Sequence, residues 1–248
     1  MLLRRITEHV KAQNWFAVFV DFVIVVVGVF IGIQVSNWNE ARVDAISERQ
    51  YLERLHDEVV TVIQQRANND RNRQERLDAL NSVVDILYGA AEPRSLTALE
   101  CRAIGSTHIM YTGEEVLPTA DELLSAGRLE IIDSPDIRNA LIRYRQLIAR
   151  SNRLIDNMSA NAVTLPRRYA DLFDRTDVTR TEDEGVRILL ECDSEAIIAS
   201  SNFRIDFADN FNRYEAYIAV GIRDVSDHLR HLHAVIDEEL GTDHEAGP

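Results

Sequence analysis

The sequence predicts an all-α protein, an N-terminal transmembrane helix followed by an antiparallel helical bundle with long helices. Three observations carry that reading. The run from Trp15 to Val35 holds only Asp21 and Gln34 as strongly polar residues, and about 20 apolar residues are what a helix needs to cross a bilayer. Ten Gly and five Pro in 248 residues supply little of the turn punctuation that sandwiches and barrels require. Downstream, apolar residues recur at helical rather than alternating spacing.

Taken in order, residues 1–14 are expected to form a short cytoplasmic segment and residues 15–38 the span. A buried strand would stop after about eight residues, and an isolated strand in lipid leaves its backbone unsatisfied. A cleaved signal has an apolar core of about 7–15 residues and a small-x-small site, and "QVSNWNEARV" offers no such site. Trp15 and Trp38 bracket the run as interfacial anchors. Arg4, Arg5 and Lys11 on the short side outweigh the diluted arginines after the span. Positive-inside counting therefore favours a cytoplasmic N-terminus, with the large C-terminal domain on the far side of the membrane. Fourteen cytoplasmic residues would be too few for an output domain, so any signal would pass through a partner.

Within the span, Gly28 and Gly32 form a small-xxx-small pair, which permits close helix approach. Asp21 falls on the same face, seven positions earlier. These three residues are the expected association face, toward a second copy of the chain or another membrane protein. The plainer alternative is that Asp21 snorkels to the headgroups and the glycines are incidental.

Residues 39–240 are expected to be a helical extramembrane domain, and 241–248 a disordered tail. No Gly or Pro interrupts the chain from Asn39 until Gly89, which favours one continuous helix over a hairpin. Leu52, Leu55, Val59 and Val62 repeat at seam spacing. Leu80, Val83 and Leu87 continue the frame, but Arg66, Asn69, Arg73 and Arg76 occupy it between them. "AAEPRS" reads as a turn, and "LTALECRAIG" opens a short helix. Thr119 and Glu122 have capping-box spacing, with Gly127 as the stop. Ser134 is placed to cap a helix starting at Pro135 that buries Ile137, Leu141, Tyr144, Leu147 or Ile148, Leu154 and Met158. "DRTDVTRTEDEG" reads as a polar loop. The last helix, from about Phe203 to Leu240, carries the stripe Phe207, Phe211, Tyr214, Ile218, Ile222, Val225, Leu229, Leu232 and Ile236. Cys101 and Cys192 are the only cysteines. They are either a disulfide suited to an oxidising compartment or two buried thiols, and spacing leaves both open.

The stretch Gly28-Val-Phe-Ile-Gly-Ile-Gln34-Val-Ser-Asn37-Trp38-Asn39-Glu40 resembles the signature of an uncharacterised bacterial family of single-pass membrane proteins. In that family the span ends in a Gln-x-x-Asn-Trp-Asn-Glu type sequence. "ELLSAGRLEIIDSPDIRNALIRY" resembles its second recurrent block, with Ala126 standing between Ser125 and Gly127 as a minor departure. The resemblance implies a membrane-anchored domain of unknown function and brings no catalytic or ligand residues with it.

The chemistry that remains is sparse. The net charge of −14 argues against phosphate-backbone binding, which needs a basic face, so no nucleic-acid partner is expected. There is no Gly-x-Ser-x-Gly elbow, and Lys11 is the only lysine, which removes Walker-type and Schiff-base lysines from the large domain. Asp224, His228 and His231 share one helix side and in principle supply two imidazoles and a carboxylate to zinc. Leu229 and Leu232 own the neighbouring buried face, His233 points elsewhere, and a solvated polar face is the simpler account. The leading expectation is a non-enzymatic protein without cofactor, working by association in the lipid bilayer. The alternative is a periplasmic ligand-sensing ectodomain signalling through a partner, and a metal-dependent enzyme ranks last.

Overall fold

The computed structural model describes residues 15–111, 113, 115–174, 178–181, 185–188 and 190–242. The basic residues Arg4, Arg5 and Lys11, and the tail from 243, lie outside them. The chain divides into two compact units, Met1–Gln50 and Tyr51–Pro248. Both draw on one unbroken helix, α1, Trp15–Leu87. The segment after the apolar run is therefore continuous helix and not a hairpin. Gly89, with φ +79°, takes the left-handed conformation that stops it, and the amides of Ala90 and Ala91 turn back to the Asp85 carbonyl.

In the first unit, α1 exposes its apolar side chains all round. Phe22, Ile24, Val25, Phe30 and Ile33 are each more than half exposed. Among the described residues this is the one helix long and apolar enough to cross a membrane.

The second unit is all-α with a small β addition. After α1 come α2 (Ala98–Gly105), α3 (Pro118–Ser125), a 3₁₀ turn (Leu129–Ile131), α4 (Pro135–Ala160) and α5 (Leu165–Arg168). Four short strands follow, β1 (Phe173–Asp174), β2 (Val178–Thr181), β3 (Gly185–Ile188) and β4 (Glu191–Cys192). Then come α6 (Ser194–Ala199) and α7 (Ser201–Ala216), a π-helical stretch (Tyr217–Arg223) and α8 (Asp224–Leu240). The strands form two antiparallel ladders, β1 with β4 and β2 with β3. So the expected polar loop "DRTDVTRTEDEG" is in part a hairpin, in register Val178↔Ile188 to Thr181↔Gly185. Its β-branched Val178, Thr179 and Thr181 favour an extended backbone, a signal masked by the charges between them.

Two expected caps are also corrected. Thr119 does not pair with Glu122, because α3 starts at Pro118 with Leu117 as its N-cap. The Thr119 hydroxyl and amide instead donate to the Glu58 carboxylate on α1, at 2.6 and 3.0 Å. Glu122 accepts from Tyr51 and Arg54. A carboxylate from another helix thus does the capping work at the positive end of α3. Ser134 occupies the N-cap of α4 as expected, but its hydroxyl makes no cap bond. Ile137, Leu141 and Tyr144 of α4 are buried, whereas Ile155 takes the interior place expected for Leu154.

Two hydrophobic cores fill the unit. One gathers Leu52, Leu55, Val59 and Val62 of α1 with Leu123, Ile137, Leu141, Val225, Leu229 and Ile236. The other gathers Leu77, Leu80, Val83 and Leu87 with Ile104, Leu165, Phe203, Phe207, Tyr214 and Tyr217. Between Ile63, which packs against the first core, and Leu77 no α1 residue belongs to either.

Candidate functional site

That gap is where the seam of α1 turns polar, and it is not a solvated interruption. Arg66 and Arg73 are buried at 6% and 7% exposure. Isolated buried guanidinium groups would be prohibitively costly, so each must be paired, and each is. Arg66 Nη1 lies against the Glu115 carboxylate in a buried ion pair. Its Nε donates to Ser226 Oγ at 3.0 Å, and its Nη2 donates to the Ile222 carbonyl at 2.9 Å. Ser226 in turn donates to Asp70 Oδ2 at 2.7 Å, and Arg73 donates to the other Asp70 oxygen at 2.9 Å. The second arm of Arg73 reaches the Tyr111 carbonyl, which also accepts the Tyr217 hydroxyl at 2.6 Å. Tyr144 completes the layer by donating to the Glu115 backbone carbonyl at 2.9 Å.

Electrostatics follows from this burial. Desolvation lowers the Arg66 pKa, with Asp70 opposing and Arg73 adding to the depression. Burial raises the Tyr144 and Tyr217 hydroxyls and pushes Tyr214 up to about 12, so all three stay neutral at ordinary pH.

The layer sits against the π-helical stretch. Ile222, whose carbonyl receives Arg66, lies within it, as does Tyr217. Gly221 of the same stretch lets α4 approach closely, since a Cβ there would come within 2.6 Å of Ile155 Cδ1. The widened turn and the arginine latch therefore occur together, and π segments often mark places where a helix is bent to a task. Chemically the layer pairs charges. Its one hydroxyl beside a carboxylate, Ser226 against Asp70, is held in the network by also accepting from Arg66 Nε.

The residues singled out from sequence fall elsewhere. Gly28 and Gly32 face open space, with nothing within 4 Å of an added Cβ, and Trp38 is 70% exposed. Trp15 and Asp21 lie in α1, but their side chains are outside the described residues. Cys101 of α2 and Cys192 of β4 form a disulfide with Cα atoms 5.7 Å apart. The histidine trio divides. His228 is buried, with Nε2 2.8 Å from the Ala140 carbonyl and its ring stacked near Tyr144. His231 is exposed beside it, and together with Asp136, Asn139, Arg143 and Gln146 they line a polar cleft of about 550 Å³ between α4 and α8. His233 turns into the protein toward Asp237, their Nδ1 and Oδ2 atoms 3.1 Å apart. The solvated polar face expected of Asp224, His228 and His231 thus holds for Asp224 and His231 and fails for His228.

Sequence reading missed the layer because Glu115 and Ser226, the partners of Arg66, lie in distant segments. The signal that was present is the period. Arg66 and Arg73 stand in the frame of Leu52, Leu55, Val59 and Val62, and a charge at a seam position is a candidate buried charge.

No family model, curated protein or solved structure matches the chain, so the likeness noted above rests on the quoted residues alone.

Proposed function

We propose that this is a single-pass protein of a bacterial inner membrane, with a cytoplasmic N-terminus and a periplasmic helical domain, acting by association rather than catalysis. It associates with itself or with another membrane protein through the face of Asp21, Gly28 and Gly32. The observation that carries the reading is the exposure of the apolar run in α1, none of whose most apolar window is buried. A helix apolar on every side is at home in lipid or against another apolar helix, not in water. The Cys101–Cys192 disulfide supports an oxidising compartment for the large domain.

The test is disulfide crosslinking in native membranes, with Cys101 and Cys192 replaced by Ser. Gly28→Cys and Gly32→Cys should give a covalent dimer, and Val26→Cys, on the opposite face, should not. Release of the chain from membranes by alkaline carbonate would overturn the anchor. An integral chain with no face-specific dimer would leave a heterologous partner as the associating species.

A second reading, a ligand-sensing domain signalling through a partner, draws on the cleft beside His228 and His231, which has the size of a small-molecule site. It requires the crosslinking pattern to change when a ligand binds. A pattern indifferent to ligand favours the first reading.

A further inference from the structure

Two histidines and an aspartate from opposite ends of the helical domain meet between α1 and α8. His56 comes from α1, whereas His233 and Asp237 are one turn apart on α8. His56 Nε2 lies 3.1 Å from Asp237 Oδ1, and His233 Nδ1 lies 3.1 Å from Asp237 Oδ2. The two imidazole rings are 5.0 Å apart, centroid to centroid. One donor atom from each residue lies within 4.8 Å of the other two. Zinc–nitrogen and zinc–oxygen bonds of about 2.1 Å place tetrahedral ligands roughly 3.4 Å from one another, close to the separations seen here.

From this convergence the geometry points to a divalent transition-metal site formed by His56, His233 and Asp237, with zinc as the best-suited ion. Two imidazoles and one carboxylate match the ligand preferences of zinc, whereas calcium would need six or more oxygens. The three side chains are 14%, 5% and 12% exposed, so the donors sit largely dry just beneath the surface. The supporting contacts are those that orient metal ligands. Thr242 donates to Asp237 Oδ1 at 3.1 Å, and the second ring nitrogen of His56 lies 3.4 Å from the Asp57 carboxylate. Three protein donors leave a fourth position for water or a small anion. The ion would tie α1 to α8 on the side of the charged layer that holds the Leu52 core. This site is distinct from the cleft of His228 and His231, whose His228 Nε2 is already engaged by a backbone carbonyl.

The test uses the full chain in detergent, stripped by chelator and kept non-reducing so that no thiol competes. Cobalt(II) chloride alone is the first probe, followed by visible absorption, and zinc chloride displaces it. We expect saturation at one cobalt per chain, with the intense bands of low coordination, bleached by equimolar zinc. His56→Gln and Asp237→Asn should each weaken binding at least tenfold, and His231→Gln should leave it unchanged. Glutamine keeps a polar side chain of similar reach at position 56, so His56→Gln should keep native helicity by circular dichroism even if Asp237→Asn does not. Zinc should raise the Tm of the parent chain but not of His56→Gln. Absence of saturable binding, or binding of equal strength in His56→Gln, overturns the site. Equal loss in His231→Gln would overturn it as well, by moving the binding to the cleft.

Discussion

Arg66 Nη2, on the first helix, donates to the carbonyl oxygen of Ile222, 2.9 Å away inside the π-helical stretch before α8. The same guanidinium is paired with Glu115, so one side chain joins the loop before α3 to the widened turn. Removing one partner of a buried pair typically costs about 3–5 kcal/mol, because the other charge is left uncompensated. Arg66→Met should therefore destabilise by that order in urea unfolding followed by circular dichroism. Arg66→Met combined with Glu115→Leu should recover much of the loss, since apolar replacement of a whole buried pair is often neutral. A double variant no better than the single would show that the carbonyl contact, not the charge pair, dominates.

Gly221 gives a prediction of opposite signs in two backgrounds. Alanine in a helix gains about 1 kcal/mol over glycine, but here its methyl would press on Ile155 Cδ1 at 2.6 Å, and overpacking costs about 1–3 kcal/mol. Gly221→Ala should lower the Tm of the parent chain. In an Ile155→Val background, which lacks that methyl, it should raise it. The same sign in both backgrounds would remove close approach as the reason for glycine.

Reduction should be costly. The disulfide closes a loop spanning 91 residues, and the chain-entropy argument assigns such a loop roughly 3–5 kcal/mol. Cys101→Ser with Cys192→Ser should shift the urea midpoint down by a matching amount, and dithiothreitol should do the same to the parent chain. Equal midpoints with and without reductant would mean the bond is absent or energetically idle.

Acid should weaken the start of α2 before the rest. Glu100 accepts two bonds from Arg94 and one from the Thr97 amide, and the Arg94 bond is the main cause that lowers its pKa to about 2. An unfolded glutamate titrates near 4.3. The folded value being the lower, this group's stabilising contribution is complete above the unfolded value and is lost as pH falls toward 2. Glu100→Gln should flatten that part of the stability profile between about pH 4.5 and 2, measured by thermal unfolding. An unchanged profile would rule the group out.

The sequence carried the architecture because helical periodicity survives without knowledge of partners. α1, α4 and the last helix were legible from Leu52–Val62, Ile137–Tyr144 and Phe207–Ile236. Relations across the fold were not. Arg66 and Arg73 read as a break in a seam, and only Glu115, Ser226 and Asp70 turn them into its interior. The β2–β3 hairpin was hidden by acidic residues that a two-stranded ladder tolerates. His233 looked misdirected beside Leu232 because its partner, His56, lies on the first helix.

Two cores separated by charge, with a covalent bond touching only one, make a domain with two seams of release rather than one. Cys101 lies in the core of Leu80 and Phe203, and Cys192 packs against it. The core of Leu55 and Leu229 holds no cysteine. A reductant that cuts the bond thus slackens the first assembly and leaves the second with its fastening untouched. Reduction should therefore loosen the core of Leu80 and Phe203 ahead of the core of Leu55 and Leu229.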